Sequence, residues 1–562
     1  MKDPYGPGVE REYDYIVVGA GSAGSVVAAR LAEDSQVSVL LLEAGPADSA
    51  LYLRMPAALA MPLRNNKYNW DLYSEPEPGL DGRQINEARG RVLGGSSSIN
   101  GMNWVRGNPW DYDQWQACGN SGWSYADVLP YFKKAETFAG GGDVYRGRKG
   151  PMYIETCAAR DPLYQAFLSA GEQMGLEHVQ DHNGYKQEGV HITQRNVHRG
   201  VRWSTSRAYI HSRPRRNNLQ VVTRAFTRRV LFAGRRAVGV EVEQRGISGT
   251  VEARRGVVVC AGALHSPHLL MHSGIGAVNA LRQLSIPIVA DVPGVGQGLK
   301  NHVGVTVQYR AATKISVAKQ LTPLRRLAMA IEWSLFKTGL GATNFFEVGA
   351  FFSTHSQEPA PNVQLEFVPV LGELQHGHVA LENGFQFIAS LMRPTSTGRV
   401  WIDSPDPKAP PKFVFNFLTT TEDKRDAIAA VRAVRNMIAQ PAWARLRGKE
   451  VLPGSAAQID AHILSFLRTH ASTNYHPSCS CRMGRDGESV VDEEGRVHET
   501  ENLWLVDASI MPRIVTGNLN APVIMLAEKI ADLIKGLKPP PAEHAPYYRP
   551  GTFTAGVTKQ VS

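Results

Sequence analysis

Cysteine is scarce in this chain: five residues in 562, at Cys118, Cys157, Cys260, Cys479 and Cys481. That is far too few to staple a fold with disulfides, and the odd count fits a reducing compartment. Long apolar runs are missing as well. The longest, residues 15–20 and 37–42, fall far short of the ~20 residues that cross a bilayer. The N-terminal stretch 1–13 is charged and polar and lacks the apolar region of a secretory signal. A cytoplasmic protein is expected, with peripheral contact at the inner membrane face left open. Charge is only mildly one-sided: 61 Lys and Arg against 52 Asp and Glu give +9. Spread over the whole length, that excess reads as solubility. The arginines between 195 and 236, among them Arg213, Arg215, Arg216, Arg228 and Arg229, read as a solvated basic face, with an anionic surface as the second reading. No nucleic-acid motif accompanies them, and no Gly-x-Ser-x-Gly elbow suggests a hydrolase.

What is present is an ordinary globular composition, 43% hydrophobic and 20% charged, in a chain long enough for two or more domains. The apolar run Tyr15-Ile16-Val17-Val18 reads as a buried strand. Gly19-Ala20-Gly21-Ser22-Ala23-Gly24 and a helix of small residues follow, and then a second buried strand ends at Glu43-Ala44-Gly45. This is a parallel pair with a right-handed crossover. Its glycines suit a tight turn, backbone approach to a pyrophosphate and close helix–strand packing. Glu43 lies ~20 residues beyond, where an acid accepts from a ribose diol. The motif leaves FAD and NAD open.

Further strands are expected at 255–260 and 503–506. Alternating segments at 347–352, 363–368 and 384–392 suggest an antiparallel sheet, interleaved with helices such as 422–439. The last helix starts at Asn520-Ala521-Pro522, and Pro539-Pro540-Pro541 ends it before a mobile tail. The fold is therefore α/β, a Rossmann-like dinucleotide domain plus an α+β substrate domain on an antiparallel sheet. The dinucleotide domain is discontinuous, 10–155 with 200–310 and 470–537. Residues 156–199 with 311–469 form the substrate domain, and 538–562 the C-terminal tail.

A second glycine-serine loop, Gly94-Gly95-Ser96-Ser97-Ser98-Ile99-Asn100, lies between Gly90-Arg91-Val92-Leu93 and Trp104, Gly107 and Asp113. This run, with the stretch from Gly262 to Gly276 and the N-terminal glycines, resembles the signatures of glucose-methanol-choline oxidoreductases, FAD-dependent alcohol oxidases and dehydrogenases. The resemblance spans residues 13 to about 536. It is strongest to the choline-oxidising branch through Asn69-Trp70, residues 476–484, 506–512 and 516–522.

The resemblance implies a PHBH-type FAD domain and the following roles. Gly19, Gly21, Ser22, Ala23, Gly24, Glu43, Ala44, Arg91, Gly94, Gly95, Ser96, Asn100, Gly101, Thr227, Asp507, Ala508, Asn520 and Pro522 hold FAD. His476 is the catalytic base, a fitting residue because its pKa lies near neutrality. Asn518 stabilises the forming alkoxide. Glu347 and Tyr475 face the substrate, Glu347 as anchor for a trimethylammonium with Phe345, Phe346 and Tyr475 as aromatic faces. His476 with Cys479 and Cys481 offers too few ligands at unsuitable spacing for a metal. Ile99 stands where some relatives carry a histidine that tethers FAD, so the cofactor is expected to be non-covalent. Asn301-His302 replaces a usual acid-histidine pair.

The expected function is FAD-dependent oxidation of a primary alcohol to the aldehyde. Choline is favoured as the small-molecule substrate, with a quinone-linked electron acceptor. A neutral aliphatic, aromatic or polyether alcohol, and a non-redox flavin lyase or decarboxylase, stand as alternatives.

Overall fold

In the computed structural model the described residues are 11–212, 216–375 and 378–550, so Arg213 and Arg215 of the basic stretch lie outside them. The first apolar run forms the strand Glu12–Val18, buried at every position after Glu12. Val39–Glu43 pairs with it in parallel on one side and Ile247–Val259 on the other. Parallel neighbours demand a crossover, supplied first by the Ser22–Leu31 helix. Covered on both faces, these strands are continuously apolar rather than alternating. Leu219–Thr223 extends the sheet beyond Val39–Glu43, and Leu503–Leu505 pairs in parallel with Ile247–Val259. The strands Ala225–Ala233 and Arg236–Gln244 fold antiparallel onto the first half of Ile247–Val259.

The second sheet is antiparallel throughout. Its order is Arg447–Leu452, Val303–Ala311, Gly384–Leu391, Val363–Val368, Val348–Phe352, Gly189–Ile192. Val303–Ala311 belongs wholly to this sheet, so a domain boundary at 310 cuts through a strand; the passage between sheets falls near residue 302. Along Val363–Val368, Leu365 and Phe367 are buried, and Phe367 packs on Phe385, Phe387 and Trp443. Period-two alternation sends Gln364 and Glu366 to the opposite face, toward the first domain.

The chain's two ends are clamped together. The last helix, Asn520–Ile534, packs on Ser22–Leu31, and the Arg30 guanidinium donates to both Glu528 oxygens, at 2.7 and 2.8 Å. Tyr209 donates to the same carboxylate at 2.7 Å. The tail is not the mobile extension expected from its prolines over 538–550. Glu543 pairs with Lys133, the Tyr547 hydroxyl donates to Asp113 at 2.5 Å, and the Tyr548 amide donates to the Tyr185 carbonyl at 2.8 Å. Within the basic stretch, Arg228 pairs with Glu241 and Glu243 and Arg229 with Glu241, while Arg202 is buried. No helix among the described residues is long and apolar enough to cross a membrane.

Because Glu528 is fully buried, Arg30→Ala leaves its charge short of its main partner. The expected loss is about 3–5 kcal/mol by chemical denaturation of the holoenzyme. A paired Arg30→Met and Glu528→Met change should recover most of it. A single-variant loss within error of zero would contradict the clamp.

Candidate active site

A cavity of about 540 Å³ lies between the two sheets. The first sheet and its loops bring Gly19, Gly21, Ser22, Ala23, Glu43, Ala44, Thr227, Gly95, Ser96, Asn100 and Gly101 to its wall. The C-terminal loops add Tyr475, His476, Asp507, Ala508, Asn518 and Asn520, and the second sheet adds Thr306, Glu366 and Ile388. Among the expected cofactor residues, Gly24, Arg91, Gly94 and Pro522 do not line it. Gly24 sits inside the helix–strand contact, and Gly94 donates its N–H to the Ala20 carbonyl at 2.7 Å, tying the two glycine loops together. Arg91 stacks over Trp70.

The glycines are needed where the loops touch. Gly19 has φ +96°, and a Cβ there would stand 2.6 Å from the Cys260 carbonyl oxygen. At Gly95 a Cβ would stand 2.6 Å from the Gly21 Cα. Glu43 accepts from the Ala20 amide at 3.0 Å and the Gly45 amide at 2.8 Å. Burial pushes its carboxyl up to about 7, against the pull of those two amides. Asp507 accepts from the Gly262 amide at 2.9 Å, the Ser266 hydroxyl at 2.6 Å and the Ser509 amide at 2.8 Å. Its carboxylate thereby shapes the turns that face the cavity.

His476 is held from several directions. Its amide donates to Asn301 Oδ1 at 2.9 Å, and Asn301 in turn donates to the buried Glu87 at 3.1 Å. Arg89 donates to the Tyr475 carbonyl at 2.7 Å. The imidazole itself meets His302, Nδ1 to Nδ1 at 3.0 Å. The other nitrogen of His302, Nε2, lies 3.0 Å from the Met392 carbonyl, which can only accept. Burial pushes His302 down to about 3, so the ring is neutral and carries its single proton on Nε2. Its Nδ1 then accepts, His476 donates from Nδ1, and the Nε2 of His476 is left unprotonated, an acceptor for the Asn518 amide. Burial, aided by His302 and Arg89, also holds His476 well below the ordinary histidine range.

Asn518 Nδ2 lies 3.3 Å from that Nε2. Its orientation is set from behind, where Gln364 Nε2 donates to Asn518 Oδ1 at 3.1 Å. The side chains expected to form a base and an amide donor therefore stand together on the cavity wall.

Glu347 is a correction. Its carboxylate accepts from the Ala159 amide at 2.8 Å and the Thr343 hydroxyl at 2.6 Å, and its carbonyl accepts from the Thr193 amide. It braces the edge of the second sheet and does not line the cavity. Phe346 and Tyr475 do line it, whereas Phe345, at φ +64°, packs elsewhere. The carboxylate facing the cavity from the second sheet is Glu366, half-buried, accepting from Asn103 Nδ2 at 2.5 Å. Burial raises its pKa against the pull of Asn103 and Asn518. Sequence reasoning missed Glu366, Gln364 and the orienting role of His302. The available signal was two polar side chains at alternate positions of an otherwise apolar strand.

Comparison with known proteins identifies the family. A family profile described as GMC oxidoreductase matches residues 13–304, more than half of the chain, and a C-terminal profile of the same description matches 394–527. The chain belongs to the GMC oxidoreductase family. Among curated relatives, the oxygen-dependent choline dehydrogenase of Paraburkholderia phymatum is 48% identical over 96% of this chain and 95% of its own length. Its counterpart from Xanthomonas campestris pv. campestris is 47% identical over 97% and 99%. Pyridoxine 4-oxidase from Mesorbium loti superposes with a TM-score of 0.85 at 30% identity, covering 94% of this chain and all of that one. Aspergillus oryzae formate oxidase, in a structure concerned with FAD modification, superposes at 0.88 with 25% identity, covering 93% and 98%.

The residues of this GMC oxidoreductase fit FAD. The Thr227 hydroxyl and the Asn520 amide nitrogen are buried without a protein partner, and both residues line the cavity beside the paired glycine loops. Buried polar groups of this kind are normally satisfied, and a dinucleotide offers the partners. At position 99 the side chain is isoleucine, buried on the cavity wall.

His476→Ala should lower the rate of alcohol oxidation by ~10²–10⁴ while the visible flavin spectrum persists. Since His476 stays neutral below the usual histidine range, the acid limb of kcat/KM should fall below ~6.5. A limb at or above 6.5 in the unaltered enzyme would contradict the arrangement.

Proposed function

We propose that this protein oxidises a primary alcohol to the aldehyde, choline being the favoured substrate, with FAD held non-covalently. The observation that carries this reading is the unprotonated Nε2 of His476 beside the Asn518 amide on a cavity that also holds the glycine loops. When bound, FAD supplies a hydride acceptor at its N5. The chain's own groups handle the proton and the charge. His476 Nε2 takes the hydroxyl proton, and the His476 Nδ1–H donated to His302 steadies the imidazolium that forms. In this reading an Asn518 amide hydrogen, which rests on His476 Nε2 at 3.3 Å, passes to the substrate oxygen as it becomes an alkoxide, and removing such a donor costs about 2.7–4 kcal/mol of barrier.

Choline is supported by the names of the bacterial relatives and by the Glu366 carboxylate on the substrate side. A quaternary ammonium cannot donate a hydrogen bond, so its recognition rests on a nearby negative charge and on aromatic faces such as Phe346 and Tyr475. Desolvation raises the pKa of Glu366, and an approaching cation opposes that rise. The electron acceptor is read as quinone-linked, although the name of the bacterial relatives specifies oxygen. Comparing reoxidation by air with reoxidation by a soluble quinone separates the two.

Anaerobic mixing with choline should bleach the flavin absorbance, and a lyase would leave it unchanged. With Glu366→Gln, choline binding should weaken by ~30-fold or more, while 3,3-dimethylbutan-1-ol, of the same shape but uncharged, is little affected. Choline affinity should rise with pH as the raised Glu366 carboxyl ionises, and affinity for the neutral alcohol should not. Equal effects on both alcohols would remove the cation-binding assignment. With isoleucine at position 99, denaturation should release FAD into solution; a flavin that stays with the polypeptide would contradict non-covalent binding.

A further inference from the structure

The helix Pro323–Phe336 is turned inside out. Only Trp333 of its fourteen residues is buried. Trp333 packs against Met55 and Ala58, and its indole N–H donates to the Gly200 carbonyl at 2.6 Å. Leu324, Leu327, Ile331, Leu335 and Phe336 are 53–82% exposed. These are five of the fifteen exposed large apolar side chains among the described residues. The spacing 324, 327, 331, 335 is one helical face, so four of the five form a continuous stripe ~18 Å long. Scattered surface leucines need no explanation, but a stripe of this kind on one helix marks a contact surface.

Charge decides what the surface fits. From 312 to 342 the chain carries Lys314, Lys319, Arg325, Arg326 and Lys337 against the single acid Glu332. Two copies of this helix facing each other would bring cations against cations. A plane of anionic lipid headgroups over an apolar interior matches both features, because an amphipathic helix with a basic surround lies in that boundary with its apolar face inserted ~5–10 Å. The helix's inward side leads to Met55 and Ala58, and Leu59 and Leu63 just beyond line the cavity.

We infer that the Pro323–Phe336 helix is a docking surface for an anionic phospholipid bilayer, seating the protein with the Leu59–Leu63 wall of its cavity close to the membrane. This goes beyond the proposed reaction and does not depend on it, since its readout is sedimentation rather than turnover.

The test is co-sedimentation of the full-length holoenzyme with extruded vesicles of phosphatidylcholine alone or mixed with phosphatidylglycerol. Binding should appear with the mixed vesicles, weaken in high salt, and fall by ~tenfold or more in a Leu327→Glu, Ile331→Glu variant. That variant should keep its flavin and its turnover with a soluble acceptor. Arg325→Glu should reduce binding to the mixed vesicles with little effect on phosphatidylcholine. Absence of binding, or equal binding by the double variant, overturns the proposal. So does a wild-type dimer in light scattering that the double variant converts to monomer, because the stripe is then covered by a second copy.

Discussion

The hydrogen bond between His302 and His476 is the contact on which the site turns. A base that must take a proton from an alcohol has to present a lone pair, and an imidazole presents it from only one nitrogen at a time. Here the choice is made two steps away, at the Met392 carbonyl, which cannot donate and so fixes the proton of His302 on Nε2. The same buried surroundings that settle the tautomer also keep His476 neutral. Desolvation, usually a cost, is used to keep a base in its basic form. The Asn518 amide is oriented by the same kind of logic, through Gln364.

This arrangement requires the two sheets to meet. Val303–Ala311 and Val363–Val368 carry His302, Gln364 and Glu366 from the antiparallel sheet, while the C-terminal loops carry His476 and Asn518 back to the parallel one. Glu87 and Asn301 tie a segment near the second glycine loop to the backbone of His476. The Arg30–Glu528 pair then closes the chain's two ends over one another. The proposed cofactor loops and catalytic side chains therefore share a single framework, and their separation depends on how the sheets pack rather than on any one loop.

Much of the fold is legible in the sequence, because the strand–glycine–helix unit is a local pattern that ends where a strand and a helix must meet. His476 and Asn518 are legible through the resemblance of their neighbouring motifs, and the cavity joins them. Glu347 and Glu366 show where reading stops. Both are acids next to or within buried strands, and nothing along the chain says which faces the cavity. The Thr343 hydroxyl four residues before it and the Ala159 amide 188 residues away claim Glu347. The role of His302 was equally hidden, because the carbonyl that fixes its proton lies 90 residues away in sequence. The tail to Arg549 looked free because prolines forbid a helix there, yet single side chains suffice to fasten it.

Neutron diffraction from crystals of the deuterated holoenzyme at neutral pH observes the decisive proton itself. The account predicts deuterium on Nδ1 of His476, none on its Nε2, and deuterium on Nε2 of His302. Density for deuterium on Nε2 of His476 in the resting enzyme would contradict it, because the nitrogen beside Asn518 would then have no lone pair to offer an alcohol.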